Sequence, residues 1–124
     1  MPLLVDTSIW IDHFRKTNVQ LSNLLVRRNV LLHPFVLGEL ALGHVPNMRK
    51  MVGDFRDLPR APVADTEEVF HLIVRNKLSG SGIGYVDAHL LASALLRPDV
   101  RLWTRDKRLQ AVAIRLSIAS EDSK

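Results

Sequence analysis

The sequence predicts an α/β fold: a central parallel sheet with helices covering both faces. Short apolar runs such as Leu3-Leu4-Val5 and Val30-Leu31-Leu32 read as fully buried strands, because a half-exposed strand alternates polar and apolar residues. These runs alternate with longer segments of helical period, the pattern that lays helices over a parallel sheet. The chain has 124 residues, 47% apolar and 24% charged, which is enough for one hydrophobic core but not two. One domain spanning residues 1–124 is therefore expected, with no internal repeat or linker.

Each element has a local cause. Leu3-Leu4-Val5 ends at Asp6, and Ser8 is a candidate N-cap for a helix to about Arg15. Residues 18–27 suit a second helix, with Leu21, Leu24 and Leu25 on one face. After the strand at 30–32, Pro34 opens an apolar helix over about 35–44, and residues 47–57 form a more polar one. Ala61-Pro62-Val63 suggests a brief strand. Asp65 and Glu68 have capping-box spacing, so a helix is expected from there to about Leu78. A glycine-rich loop at 79–84 precedes a very apolar helix over 85–96, with Pro98 just past its end. Residues 100–104 read as a strand, 107–112 as a short helix, 114–118 as a last alternating strand, and 119–124 as a frayed tail.

Composition removes several classes of chemistry. There is no cysteine, which excludes disulfides, thiol nucleophiles and cysteine zinc sites. The five histidines (13, 33, 44, 71, 89) lack His-x-x-x-His spacing and read as core or surface residues. Trp10 and Trp103 read as core, since aromatics are too few for a base-stacking platform. The opening Met1-Pro2-Leu3-Leu4-Val5-Asp6 has no basic leader, and no run of about 18 apolar residues offers a membrane span. A cytoplasmic protein without membrane contact is expected. Seventeen basic residues against thirteen acidic ones give a net charge of +4, which suits a polyanionic partner as well as plain solubility.

Four acids stand where acids are costly. An acid at the end of a buried strand or inside an apolar helix costs several kcal/mol unless it has a partner. Asp6 ends the first strand, at the sheet edge where ligands bind in open α/β folds. Glu39 is the lone charge in Phe35-Val36-Leu37-Gly38-Glu39-Leu40-Ala41-Leu42-Gly43, a helix apolar all round and therefore expected to be buried or at an interface. Asp87 lies near the start of an apolar helix, where its charge also suits the helix N-terminus. Asp106 follows a strand and is equally a candidate N-cap. Asp12, six residues beyond Asp6, falls on another face and reads as solvated.

Taken together, two carboxylates at strand ends and two on apolar helices form an oxygen-only donor set. That set suits a hard divalent cation, Mg²⁺ or Mn²⁺, able to activate water toward a phosphodiester. Ser8 and Thr104 are neighbouring hydroxyls that can bond that water or the carboxylates.

Four segments resemble the PIN-domain family, and within it the VapC-type toxins of VapBC toxin–antitoxin pairs. They are Leu4-Val5-Asp6-Thr7-Ser8-Ile9-Trp10-Ile11-Asp12, Glu39-Leu40-Ala41-Leu42-Gly43, Gly82 to Ala92 around Asp87, and Leu102-Trp103-Thr104-Arg105-Asp106-Lys107-Arg108-Leu109. They follow the family's order across nearly the whole chain. The resemblance implies an α/β/α sandwich with Asp6, Glu39, Asp87 and Asp106 as an acidic metal pocket. It further implies metal-dependent endonucleolytic cleavage of a structured RNA of translation, a VapB-like antitoxin and a homodimer. Arg105, Lys107 and Arg108 flank Asp106 and are candidates for RNA phosphates, or else a solvated helix face.

Competing readings fit less well. The loop at 80–84 lacks a following lysine, so it reads as a connector rather than a phosphate cradle. A dehalogenase-type phosphatase wants Asp-x-Asp after the first strand, where this chain has Ser8 in the second position, and a receiver-like domain fits poorly. A non-catalytic PIN-fold module that binds RNA or protein remains the alternative class.

Overall fold

The computed structural model describes residues 2–121. Strand β1 (Leu3–Val5) is central in a three-stranded parallel sheet, between β2 (Val30–Leu31) and β3 (Arg101–Trp103). Leu4 pairs with Leu31 on one side and with Leu102 on the other. Successive strand residues point to opposite faces, and all three residues of β1 are buried, so both faces are covered. Isolated parallel bridges, Leu32 to Arg60 and Leu102 to Ala119, widen the two edges.

The helices form two packed groups. Helix α1 (Thr7–Arg15) meets α3 (Pro34–Leu42), which meets α4 (Met48–Arg56). Helix α5 (Thr66–Arg75) packs on α6 (Tyr85–Leu95), and α6 lies against β3. Helices α2 (Val19–Val26) and α7 (Lys107–Arg115) complete the set among the described residues. None of the helices is long and apolar enough to cross a membrane among these residues. The predicted α/β class with helices on both faces of a parallel sheet is the one observed.

Local signals placed most elements well. Asp65 accepts from Glu68 N at 2.8 Å while Glu68 accepts from Asp65 N at 3.0 Å, which is the predicted capping box. Trp10 is 1% exposed, with its ring centroid 4.7 Å from that of Phe55 and 6.1 Å from that of Phe14. Trp103 is buried at the end of β3. Both tryptophans are core residues, as expected.

Several elements differ from the sequence reading, each for a physical reason. The expected strand at 114–118 is the end of α7 followed by Ser117 in the left-handed region (φ 61°). Leu109, Val112, Ala113 and Leu116 also fit a helical stripe, and that period prevails over the alternation. The chain then returns to the sheet: Leu102 N donates to Ile118 O at 2.8 Å and Ser120 N to Leu102 O at 2.9 Å. Ala119 and buried Ser120 are therefore not frayed, while residues 122–124 of the expected tail lie outside the described residues. Residues 61–63 make no strand. Proline supplies no donor at 62, and pairing with β2's extension stops at Ala61 N to Leu32 O. Helix α5 ends at Arg75, three residues early, because Lys77 turns left-handed (φ 53°). Helix α3 is not buried all round: Phe35 and Glu39 are exposed and Leu42 is 91% exposed, while Val36 and Leu40 are buried in the core and Leu37 packs against it.

Candidate active site

All three strands run parallel, so their carboxyl ends share one edge of the sheet. β1 is where the chain's path reverses, with β2 on one side and β3 on the other. A crevice outside the strand ends opens at such a reversal. Asp6 is the first residue past β1, and Thr104 the first past β3.

Asp6 occupies the N-cap position of α1 but makes no side-chain cap. An aspartate there ordinarily bonds the first-turn amides. Here its Oδ2 instead accepts from Ser8 Oγ and from Thr104 Oγ1, both at 2.8 Å. Ser8 is thus not the helix cap expected from sequence, since α1 begins one residue earlier and the hydroxyl is turned onto Asp6. Thr104 Oγ1 also accepts from Asp106 N at 3.0 Å, and Ser8 Oγ from Arg105 N at 3.2 Å. Two hydroxyl relays therefore fix the loop after β3 onto Asp6, whose carboxylate is buried at 6% exposure.

The other three acids are held by separate means. Glu39 is exposed on α3 and accepts from Thr7 Oγ1 at 2.7 Å. Asp87, half-buried in the first turn of α6, accepts from Gly84 N at 3.0 Å. Asp106 caps α7, with Oδ1 accepting from Arg108 N and Leu109 N. Both helix-terminal roles considered from sequence are real, and they fix the carboxylates in place.

Asp87 feels the other three acids. The Asp87 carboxyl is pushed above its ordinary value, first by burial and then by the negative charges of Asp6, Asp106 and Glu39; the Gly84 amide opposes the rise. Four elements thus deliver four carboxylates into one electrostatic neighbourhood. Among the described residues, no three acidic or imidazole groups close into a ready cage. The site is an open ring, compatible with a cation that keeps several waters and takes few protein ligands directly. The donors are carboxylate and hydroxyl oxygens throughout, so their chemistry fits Mg²⁺ or Mn²⁺.

The raised Asp87 value fixes the sign of a pH effect. Stability linked to this group is present below its unfolded value and is lost as pH rises through the folded one. In metal-free protein, Asp87→Asn is therefore expected to raise the melting temperature at about pH 7 and to do so much less at about pH 4. Thermal melts in EDTA at the two pH values measure it.

The basic residues sort differently from their sequence spacing. Arg105 Nε pairs with Asp12 Oδ2 at 2.7 Å, so Asp12 is not simply solvated. Helical angle on α1 alone could not reveal a partner arriving from another element. Arg108 lies over Gly82, where a Cβ would stand 2.7 Å from Arg108 Cδ, and Gly82 has φ 86°. With Ser8, Asp106 and Lys107, these residues line a cleft of about 440 Å³. Thr7 and Asp12 were missed as site residues, and only the three-dimensional meeting of α1 with α3 and with the loop after β3 exposes them. His33 is fully buried, its Nδ1 accepting from Phe35 N at 3.0 Å; burial and the charge of His89 lower it to about 4, so it caps α3 as a neutral ring.

Residues 3–115 match the model of the PIN domain family. The chain belongs to that family. It is similar to Ribonuclease VapC32 from two strains of Mycobacterium tuberculosis, 42% identical to each over 117 residues, 94% of this chain and 94% of each relative.

Proposed function

We propose that the chain is one metal-dependent endoribonuclease domain and the toxin of a type II toxin–antitoxin pair, acting in the cytoplasm on a structured RNA of translation. The observation that carries the reading is the gathering of Asp6, Glu39 and Asp106 around Asp87 near the sheet's switch point. The ribonuclease name of the similar mycobacterial proteins supports it.

In this reading Asp6 and Asp87 are the most direct holders of Mg²⁺ or Mn²⁺, and Asp106 supports a second, substrate-dependent ion. A cation bound there supplies Lewis acidity toward water and offsets the charge that develops on the phosphate. Glu39, oriented by Thr7, holds metal or takes a proton from the attacking water. Ser8 and Thr104 hold Asp6 in one orientation, because both donate to the same carboxylate oxygen. Water attacks phosphorus in line, and the 3′-oxygen leaves with a proton. The products are a 5′-phosphate and a 3′-hydroxyl.

Thr104→Val keeps the side chain's shape and removes the hydroxyl that joins Asp6 to Asp106 N. It is expected to weaken Mn²⁺ binding and cleavage about 10- to 100-fold, as loss of a ligand-orienting partner does. Titration calorimetry beside a cleavage assay measures both.

A VapB-like antitoxin is the proposed partner, with an arginine placed among the four acids. A groove of about 500 Å³ lined by Ile11, Phe14, Leu40 and Val45 borders Glu39 and supports a peptide docking beside the site. A homodimer is proposed as well, supported by exposed Phe70, Val74 and Leu95 on α5 and α6.

The test is cleavage of total cellular RNA by purified protein with Mg²⁺ or Mn²⁺ and with EDTA, followed by end analysis. Metal-dependent fragments bearing 5′-phosphates support the reading. Fragments ending in 2′,3′-cyclic phosphate overturn it, because those require attack by the ribose.

A further inference from the structure

Arg105 is anchored at one end and loosely held at the other. Its backbone N–H donates to Ser8 Oγ, which donates to Asp6, so its Cα is fixed two hydrogen bonds from the acidic site. Among the described residues its guanidinium is tied to Asp12 alone, with the two side chains 62% and 37% exposed. An ion pair this open is worth little, because water and salt compete for both partners. The cleft beside it, lined by Ser8, Gly82, Arg105, Asp106, Lys107 and Arg108, has three cations against one carboxylate. Its net charge is opposite to that of the four-acid ring it adjoins through Asp106.

We propose that Arg105 is a substrate latch. Asp12 parks its guanidinium until the RNA phosphate next to the scissile one enters this cleft and replaces the carboxylate. The exchange swaps one exposed charge-assisted contact for a two-oxygen contact with phosphate, a geometry that guanidinium matches. Arg108, laid across the backbone of Gly82, forms the far wall, and Gly82 has no side chain to obstruct it. The acids then receive the scissile phosphate while its neighbour is neutralised outside the ring. Asp12 is a positioning residue: it touches no substrate and sets how readily Arg105 is released.

The inference rests on the nuclease reading above, and its test separates the two. Binding of a fluorescent single-stranded RNA is measured in Ca²⁺ across a salt series, and cleavage of the same RNA is followed in Mn²⁺. Asp12→Asn is expected to tighten binding about two- to fivefold, the scale of an exposed ion pair. Arg105→Ala is expected to weaken binding and lower the salt slope by about one unit, whereas Arg105→Lys keeps the slope. In the Arg105→Ala background, Asp12→Asn is expected to change nothing. The double variant decides, because removing a negative and a positive charge beside a polyanion gives opposite signs whether or not they are paired, whereas a latch makes the Asp12→Asn gain depend on Arg105. An Asp12→Asn gain that persists without Arg105, shifts of the same sign, or an unchanged Asp12→Asn overturn the latch while wild-type cleavage leaves the nuclease reading standing. A wild type that neither binds nor cleaves RNA overturns both. Thermal melts of each variant establish that they fold.

Discussion

Asp6→Asn is expected to lower RNA cleavage by roughly three orders of magnitude, since a metal held as proposed above would supply several kcal/mol of transition-state stabilisation and each 1.4 kcal/mol is about tenfold. The fold should persist. Asparagine has the same shape, its amide oxygen still accepts from Ser8 or Thr104, and the change removes a negative charge that acts on Asp87. Two measurements separate a lost site from a lost structure. Mn²⁺ should raise the melting temperature of the wild type by linkage and leave that of the variant nearly unmoved, while the metal-free melting temperatures stay close. A variant that cleaves at more than about a tenth of the wild-type rate would remove Asp6 from the centre of the mechanism.

The largest effect on stability is expected at Trp10. Its side chain is fully buried among Phe14, Phe55 and His13, and it lies on α1, directly after the residues that carry the site. Trp10→Ala is expected to cost about 3–5 kcal/mol, the range for truncating a buried large aromatic. That is a large share of the roughly 5–15 kcal/mol that holds a domain of this kind together. The indole Nε1 has no hydrogen-bond partner in the core. Leaving a buried donor unpaired costs about 1–3 kcal/mol, so Trp10→Phe, which removes that donor, is expected to lose much less than Trp10→Ala. Urea denaturation of the three proteins measures the order. Equal losses for Phe and Ala would mean that the second ring carries the packing.

Much of this was legible in the sequence because the responsible forces are local. The buried run at β1, the Asp65–Glu68 capping box and the continuous apolar run of α6 are set by residues within a few positions of one another. Asp6, Glu39 and Asp87 stood out for a related reason, as charges at the end of or within apolar segments, and Asp106 by its place just after a strand. What sequence could not supply was pairing across the chain. Thr7 meets Glu39 and Asp12 meets Arg105 only once α1 is laid beside other elements. The segment 114–118 satisfied both an alternating and a helical period, and the choice depended on where Leu116 and Ile118 found neighbours. Of the two alternatives for helix α3, burial all round does not hold, and an interface is the one left. The helix's apolar residues exceed what the core takes, so Leu42 points outward.

The hydroxyl of Thr104 reaches Asp6 across 98 residues of sequence, and β1 gains its β3 neighbour only from the same late segment. Chains begin to fold from their N-terminal part while they are being made. On a translating ribosome, Asp6 therefore emerges long before the strand and hydroxyl that set its carboxylate, and before Asp106 is attached at all. The growing chain has no complete hydrolytic centre until most of it has been synthesised. On the reading proposed above, a nascent chain therefore spares the RNA of the machinery producing it, and a truncated product lacking Thr104 and Asp106 is inert as well.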